Sequence, residues 1–232
     1  MPSENGAAPR RVLILDFDGV VVDTERVHFE SWKAALAETV GAHLSGDYRQ
    51  IVGLTLDELY AMWIAEGVVR ADTLNSETKD LLLARKTDYF FEIGADQLAP
   101  VAGVADLVRR AQDAGWYVAI ASRGRRIRLL RTLEIARVPA IFELVLCSED
   151  IVDPATDRKV HSRAAHALGA EPEDCVVVED STAGVLDARD SGAGWVVGLT
   201  TSVDAEELYA AGADDVVDSL AHIILPPPAR VE

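Results

Sequence analysis

Five short apolar runs, separated by stretches of helical periodicity, constrain the fold of this chain more than any other feature. They are VLILDF (12–17), WYVAIAS (116–122), FELVLCS (142–148), CVVVED (175–180) and WVVGLT (195–200). Near-continuous runs of aliphatic and β-branched residues are typical of strands buried on both faces of a parallel sheet. Strands that alternate with helices predict an α/β fold with a doubly wound parallel sheet. The segment DDVVDSL (214–220) is a candidate sixth strand.

The segment between the first two runs is far longer than one crossover helix needs. Three stretches within it show helical periodicity and no strand alternation: ERVHFESWKAALAETV (25–40), TLDELYAMWIAEG (55–67) and SETKDLLLARKTDYFFEI (76–93). We therefore expect an all-helical domain, residues 24–100, inserted into a core formed by residues 11–23 and 101–225. Residues 1–10 and 226–232 are expected to be disordered tails.

The charge balance narrows the class of partner. The chain has 22 Lys and Arg against 39 Asp and Glu, a formal net charge of -17, so nucleic acid and anionic membranes are poor partners. The N-terminal segment has no apolar signal-peptide region, and no run approaches the ~18 apolar residues of a membrane span. Cys147 and Cys175 lie in apolar runs and are expected to be reduced, buried thiols. A cytoplasmic protein is the resulting expectation.

Acidic and hydroxyl side chains stand where three of the expected strands end. Asp16 and Asp18 follow the first, Ser122 the second, and Glu179 and Asp180 the fourth. Ligands of open α/β sheets bind outside the carboxyl ends of the strands, so these groups should meet in one site. Proteins hold Mg²⁺ with one or two carboxylates together with waters and phosphate oxygens, and Asp16 and Asp180 are candidate ligands of this kind.

Three motifs resemble those of the haloacid dehalogenase superfamily. DFDGVVVDTE (16–25) is similar to the first motif, AIASRG (119–124) to the second, and CVVVEDSTAGVLDARDSGA (175–193) to the fourth. The resemblance runs from about residue 11 to 220. It implies a Rossmann-like core, a helical cap inserted after the first strand, and Mg²⁺-dependent phosphoryl transfer through an aspartyl-phosphate.

The same resemblance implies a role for each residue at the strand ends. Asp16 matches the nucleophile, which also ligates the metal, and Asp18 matches the general acid/base, whose backbone carbonyl is a metal ligand in this family. Ser122 matches the hydroxyl that hydrogen-bonds the transferring phosphoryl group. Asp180 matches the principal metal ligand of the fourth motif, and Glu179 is expected to act directly or through water. Dehalogenase members lack the second acid, so Asp18 argues against carbon–halogen chemistry.

The third motif departs from the family pattern. Family members usually carry Lys-Pro before the helix that leads to the fourth motif, and the lysine neutralises the phosphoryl group; here the matching position is Ala155. Lys159 lies four residues later, and if residues 155–159 are helical it could reach back by one turn of ~5.4 Å. We expect Lys159 to fill this catalytic role, with Arg158 as the second choice. If neither reaches the site, the protein would be slow or inactive.

The start of the insert, DTERVHFESWKAAL (23–36), resembles the β-phosphoglucomutase-like subgroup. That resemblance implies that His28 lies at the hinge over the active site, in contact with Asp18 or with the substrate. A structural role for this histidine is the alternative, and Trp32 is expected to pack.

A mutase must also hold a second phosphate, which members of that subgroup do with a basic residue in the insert. The corresponding segment QIVGLTLDELY (50–60) has Val52 and Leu56 near those positions, which favours hydrolysis. Arg49 could substitute from the preceding turn, so a mutase remains the alternative.

An arginine cluster follows the second motif in SRGRRIRLLR (122–131). Its members are Arg123, Arg125, Arg126, Arg128 and Arg131. A guanidinium can hold a phosphate or a carboxylate through two parallel hydrogen bonds. We expect Arg123, Gly124 and Arg126 to bind the substrate, with at least one arginine recognising a second phosphate or a carboxylate.

Together these features predict an Mg²⁺-dependent phosphatase that hydrolyses a small phosphate monoester, such as a sugar phosphate, through an aspartyl-phosphate on Asp16. The alternatives are a phosphosugar mutase and a weakly active or degenerate binding protein of the same fold. A phospho-acceptor receiver domain is disfavoured because such domains are shorter, lack an insert and carry the acceptor at a later strand. The expected partner is a small phosphorylated metabolite, and the expected state is a monomer, with a dimer as the alternative.

Overall fold

A six-stranded parallel sheet forms the centre of the molecule in the computed structural model, which describes residues 10–150 and 159–226. Its strands are β1 (Val12–Leu15), β4 (Tyr117–Ala121), β5 (Leu144–Leu146), β6 (Cys175–Glu179), β7 (Trp195–Leu199) and β8 (Asp215–Val217). They are arranged in the order β5-β4-β1-β6-β7-β8, so β1 lies between β4 and β6. The sixth strand expected from DDVVDSL is therefore confirmed.

Both faces of this sheet are covered by helices, which explains the continuous apolar runs. Leu13 and Leu15 belong to one apolar cluster with helices α4 (Val104–Asp113) and α5 (Arg126–Ile135). Val12 and Ile14 belong to a second cluster on the other face. The helices of that face are α6 (Val160–Ala167), α7 (Thr182–Asp190) and α8 (Ala205–Ala211). The predicted α/β fold with a doubly wound parallel sheet is confirmed.

Three helices lie between the first and second strands of the sheet, as the sequence predicts. They are α1 (Glu25–Val40), α2 (Leu56–Ala65) and α3 (Ser76–Gln97), and together they are called the helical insert below. Trp32, Trp63 and Leu82 are buried in an apolar cluster of the insert's own. Thr55 begins α2 with a capping box, and the Asn75 side chain accepts from the Thr78 N–H at the start of α3.

A two-stranded antiparallel ribbon joins the insert to the core. It consists of β2 (Val22–Asp23) and β3 (Ala99–Pro100), with Val22 opposite Pro100. The sequence did not predict this ribbon, because two-residue strands are too short to show alternation. The ribbon lies at the predicted borders of residues 24–100, and the division into two domains stays a prediction.

The structure bears on two further expectations, the state of the cysteines and the presence of membrane-spanning helices. Cys147 and Cys175 are buried and free. None of the helices in the described ranges is long and apolar enough to cross a membrane. Residues 1–9 and 227–232, which make up most of the expected tails, lie outside the described residues, as do Ala155 and Arg158.

Candidate active site

The carboxyl ends of β1 and of its two neighbouring strands, β4 and β6, bring the predicted residues together. Leu15 is paired with Ile120 of β4 and with Val178 of β6. The residues that follow these three positions therefore emerge side by side at one edge of the sheet. Asp16 and Asp18 come from β1, Ser122 from β4, and Glu179 and Asp180 from β6, and all five line one cavity.

Three carboxylates form a tight acidic cluster at this edge. One oxygen each from Asp16, Glu179 and Asp180 lies within 4.8 Å of the others. Burial, followed by the charges of neighbouring carboxylates, raises the pKa of Asp16 and of Asp180 well above the usual range. Burial also raises the pKa of Glu179 to about 8. Carboxylate oxygens that destabilise one another in this way match the donor set of a hard divalent cation such as Mg²⁺.

The turn after β1 packs directly on this cluster. Gly19 has a φ of 74°, a conformation that favours glycine, and a Cβ at this position would overlap the Asp180 carboxylate. The Thr201 hydroxyl donates to the Gly19 carbonyl at 2.8 Å, and the Ser202 hydroxyl donates to Asp180. The turn and the carboxylate therefore hold each other in place.

A second group of residues surrounds the Asp18 carboxylate and forms a hydrogen-bond network with it. Arg128 donates to both of its oxygens, at 2.7 and 2.6 Å, and the Thr24 hydroxyl donates at 2.7 Å. The His28 Nε2 lies 3.3 Å from the same carboxylate. Burial alone would raise the pKa of Asp18, but the Arg128 charge and the hydrogen bonds from His28 and Arg128 outweigh it and hold that pKa well below its usual range.

The predicted contact between His28 and Asp18 is thus present, and a lysine that the sequence analysis missed lies behind it. Lys86 of α3 places its Nζ 2.5 Å from His28 Nδ1. Burial, together with Lys86, lowers the pKa of His28 to about 3; burial, together with Arg128, lowers the pKa of Lys86 to about 7. A signal for this lysine exists in the sequence, because Lys86 stands four residues from Leu82 and from Phe90 in the buried stripe of α3.

The turn after β4 provides donors for an anionic group. Ser122 is buried, and its hydroxyl accepts from the Gly124 N–H at 3.1 Å. Arg123 and Gly124 line the cavity, and Arg123 pairs with Asp187 at 3.3 Å. Of the three residues expected to bind substrate in this turn, two therefore face the cavity.

Arg126, the third of these residues, is directed elsewhere. Its guanidinium pairs with Asp150 and contacts the Val145 carbonyl. Its backbone N–H donates to the Glu149 carboxylate at 2.9 Å. Arg128, two residues further along α5, is the arginine of the cluster that contacts Asp18. Of the five arginines in this segment, Arg123, Arg125 and Arg128 line the cavity, and Arg128 is the one that contacts Asp18.

The third motif is also arranged differently from the expectation. Lys159 is exposed, stands immediately before α6 and is not among the described residues that line the cavity. The structure does not bring it together with the carboxylates, and its catalytic role stays a prediction. His161 instead lines the cavity, is buried, and places its Nε2 2.9 Å from Glu179 Oε1. Burial lowers the pKa of His161 to about 4.

The cavity above these groups has a volume of about 520 Å³ and lies between the sheet edge and the helical insert. The carboxylates, Ser122 and His161 belong to the core. The insert contributes Trp32, Leu59 and Lys86. The arrangement places a candidate nucleophile, a second acid and a candidate cation site around one space that can enclose a small molecule.

This chain is similar in sequence to known proteins. Residues 11–192 match the model of a haloacid dehalogenase-like hydrolase. The beta-phosphoglucomutase of Bacillus subtilis (strain 168) is 25% identical over 195 residues, which are 78% of this chain and 80% of that protein. The phosphorylated carbohydrates phosphatase of Thermotoga maritima is 25% identical over 203 residues, 87% of this chain and 91% of that protein.

This chain is also similar in fold to a solved structure. The crystal structure of a HAD family hydrolase from Deinococcus radiodurans R1, with bound phosphate and sodium, has a TM-score of 0.64 and 27% identity and covers 93% of each chain. The predicted resemblance and the prediction of a phosphatase-type hydrolase are confirmed. The chain belongs to the haloacid dehalogenase-like hydrolases.

Proposed function

We propose that the protein is an Mg²⁺-dependent phosphatase that hydrolyses a small phosphate monoester through an aspartyl-phosphate on Asp16. The observation that carries this proposal is the position of Asp16 beside Glu179 and Asp180, with Asp18 lining the same cavity. The name of the Thermotoga maritima relative, a phosphorylated carbohydrates phosphatase, supports a small phosphorylated molecule as the substrate.

Asp16, Glu179 and Asp180 are the residues that would hold the metal ion, since their oxygens are close together and their pKa values are raised. When bound, Mg²⁺ supplies positive charge that offsets the repulsion between these carboxylates and a phosphate. The backbone carbonyl of Asp18 is a further candidate ligand.

The protein groups then divide the reaction into two displacements. In the first, the Asp16 carboxylate forms a bond to phosphorus as the bond to the leaving oxygen breaks, and protonated Asp18 gives that oxygen its proton. In the second, Asp18 takes a proton from water as the water oxygen attacks phosphorus and the bond to Asp16 breaks. Ser122, which lines the cavity beside these carboxylates, would donate its hydroxyl to the phosphoryl oxygens.

Asp18 must exchange partners before it can act in this way. Both of its oxygens are occupied by Arg128, and Thr24 and His28 of the insert side also contact it. We propose that residues 24–100 form a cap whose movement over the substrate is coupled to this exchange through Thr24 and His28.

The test is Mg²⁺-dependent release of phosphate from p-nitrophenyl phosphate and from a panel of phosphorylated metabolites. Asp16→Asn should lower the rate by at least ~10³-fold, as expected for loss of a nucleophile. Asp190→Asn is the matched control, because Asp190 is exposed at the end of α7. Activity that survives in Asp16→Asn would exclude the aspartyl-phosphate on this residue, and no activity in any assay would favour the degenerate binding protein.

A mutase is the second candidate because a beta-phosphoglucomutase is among the relatives. Val52 and Leu56 line the cavity at the segment where a mutase would hold a second phosphate, and Arg49 is exposed and is not among the described residues that line the cavity. This arrangement favours hydrolysis. Conversion of β-glucose 1-phosphate to glucose 6-phosphate in the presence of its bisphosphate would reverse that preference.

A further inference from the structure

We propose that the alcohol released by this enzyme carries an apolar alkyl or aryl body next to its phosphate ester, instead of the many hydroxyls of a sugar. This inference rests on the proposed phosphatase function and names the substrate class more narrowly. It follows from what lines the cavity away from the carboxylates and from how the remaining polar groups are paired.

The helices contribute a mostly apolar wall to the cavity. Its members are Trp32 of α1, Ile51 of the following turn, Leu56 and Leu59 of α2, Leu83 of α3 and Ile127 of α5. Three of them are unusually exposed for large apolar residues: 40% for Leu56, 39% for Leu83 and 68% for Ile127. Exposed apolar side chains gathered around one cavity indicate a site for an apolar group.

The hydroxyl groups near this wall are already used within the helices. The Thr55 Oγ1 donates to the Glu58 carboxylate at 2.7 Å and accepts from the Glu58 N–H. The Thr87 Oγ1 donates to the Leu83 carbonyl at 2.8 Å. A sugar hydroxyl that left water to enter this part of the cavity would find few partners, and an unpaired hydroxyl weakens binding.

In the conformation that the structure shows, the cations of the cavity are paired as well. Lys86 contacts His28, Arg128 is bidentate on Asp18, and Arg123 pairs with Asp187. Arg125 is the most open of the four, with a side chain 80% exposed and 3.6 Å from Glu149. The wall therefore offers the part of the substrate beyond the phosphate mainly apolar contact.

The test compares n-alkyl phosphates of increasing length with glucose 1-phosphate and glycerol phosphate. The leaving alcohols of the alkyl series differ little in chemistry, so a change in kcat/KM reports contact with the wall. We expect kcat/KM to rise about fourfold for each methylene that becomes buried. In n-alkylphosphonates of the same lengths a C–P bond replaces the ester linkage, so they are not hydrolysed, and their Kd, measured by calorimetry, should fall by a similar factor per methylene.

Leu83→Asn should flatten both dependences on chain length. Leu81→Asn is the matched control: Leu81 is 50% exposed on the same helix and is not among the described residues lining the cavity, so this variant should keep the wild-type dependence. A preference for glucose 1-phosphate, with no dependence on alkyl length, would overturn the inference and leave the phosphatase function standing. If no ester is hydrolysed, the phosphatase function fails, and the phosphonate affinities still decide whether the wall binds apolar groups.

Discussion

Replacing Asp180 by asparagine should stabilise the metal-free protein and remove most of its response to Mg²⁺. Oxygens of Asp16, Glu179 and Asp180 lie within 4.8 Å of one another, so each ionised pair repels by about 3 kcal/mol at an effective dielectric constant of ~20. Asparagine removes one of the three charges and keeps an oxygen that can accept the hydrogen bond from Ser202. The substitution therefore lowers repulsion without leaving the serine unpaired.

Protonation limits the size of this gain. Burial raises the pKa of Glu179 from 4.5 to about 8, so this carboxyl group holds a proton near neutral pH in the metal-free protein. Its contribution to stability is fully present below pH 4.5 and is lost as the pH rises through about 8. We expect Asp180→Asn to raise the free energy of unfolding by about 2 to 4 kcal/mol above that pH, or the Tm by about 5 to 15 °C, and by less in acid.

The assay is thermal unfolding, followed by circular dichroism, in EDTA and in Mg²⁺. At a concentration ~100 times Kd, a ligand that binds only the folded state adds about 2.7 kcal/mol, which corresponds to a Tm rise of about 5 to 10 °C for a chain of this size. Wild type and the control Asp190→Asn should show this rise, and Asp180→Asn should show little of it.

Two results would refute this reasoning. If metal-free Asp180→Asn is no more stable than wild type above pH 8, the three carboxylates do not repel one another in the folded protein. If Mg²⁺ raises the Tm of wild type and of Asp180→Asn equally, the ion binds at another place.

Three further changes test the surroundings of the site. Lys86→Met should raise the free energy of unfolding by up to about 5 kcal/mol below pH 7, because burial lowers the pKa of the amine from 10.5 to about 7 and the cost of burying its charge is fully present there. This gain should disappear as the pH rises toward 10.5, as urea unfolding at several pH values would show. Gly19→Ala should lower the Tm and the Mg²⁺ response, since a Cβ adds strain of about 1 to 3 kcal/mol and overlaps the Asp180 carboxylate. Arg128→Met should move the ionisation of Asp18 in the pH profile of kcat/KM to higher pH, because the guanidinium holds that pKa low.

Each change has a control of the same residue type. Lys79 lies on the same helix as Lys86 at a partly exposed position. The effect of Lys79→Met on the free energy of unfolding should therefore not show the pH dependence expected for Lys86→Met. Gly115 has a φ of 78° and open space around the position of a Cβ, so Gly115→Ala adds backbone strain without contacting the site. Arg131→Met removes an arginine of the same helix whose guanidinium lies over the Phe91 ring, 4.0 Å from its centroid. Equal effects of a substitution and its control would argue against the corresponding explanation.

The sequence determined the parts of this protein that depend on local pattern. Buried strands show as continuous apolar runs, and the helix over Glu25–Val40 coincides with the predicted stretch, because periodicity is a property of neighbouring residues. Asp16, Ser122 and Asp180 could also be predicted to meet, since ligands gather at the carboxyl ends of parallel strands. The motifs added the family, which the match over residues 11–192 confirms.

Only the tertiary structure decided that Arg128 contacts Asp18 and that His161 contacts Glu179. Arg128 is 110 residues from Asp18 in the sequence, and His161 is 18 residues from Glu179. Such contacts depend on where a helix begins, on its rotation about its own axis and on how the insert is seated over the sheet. None of these is encoded in a short pattern, so the sequence does not indicate that Arg128 contacts Asp18 or that His161 contacts Glu179.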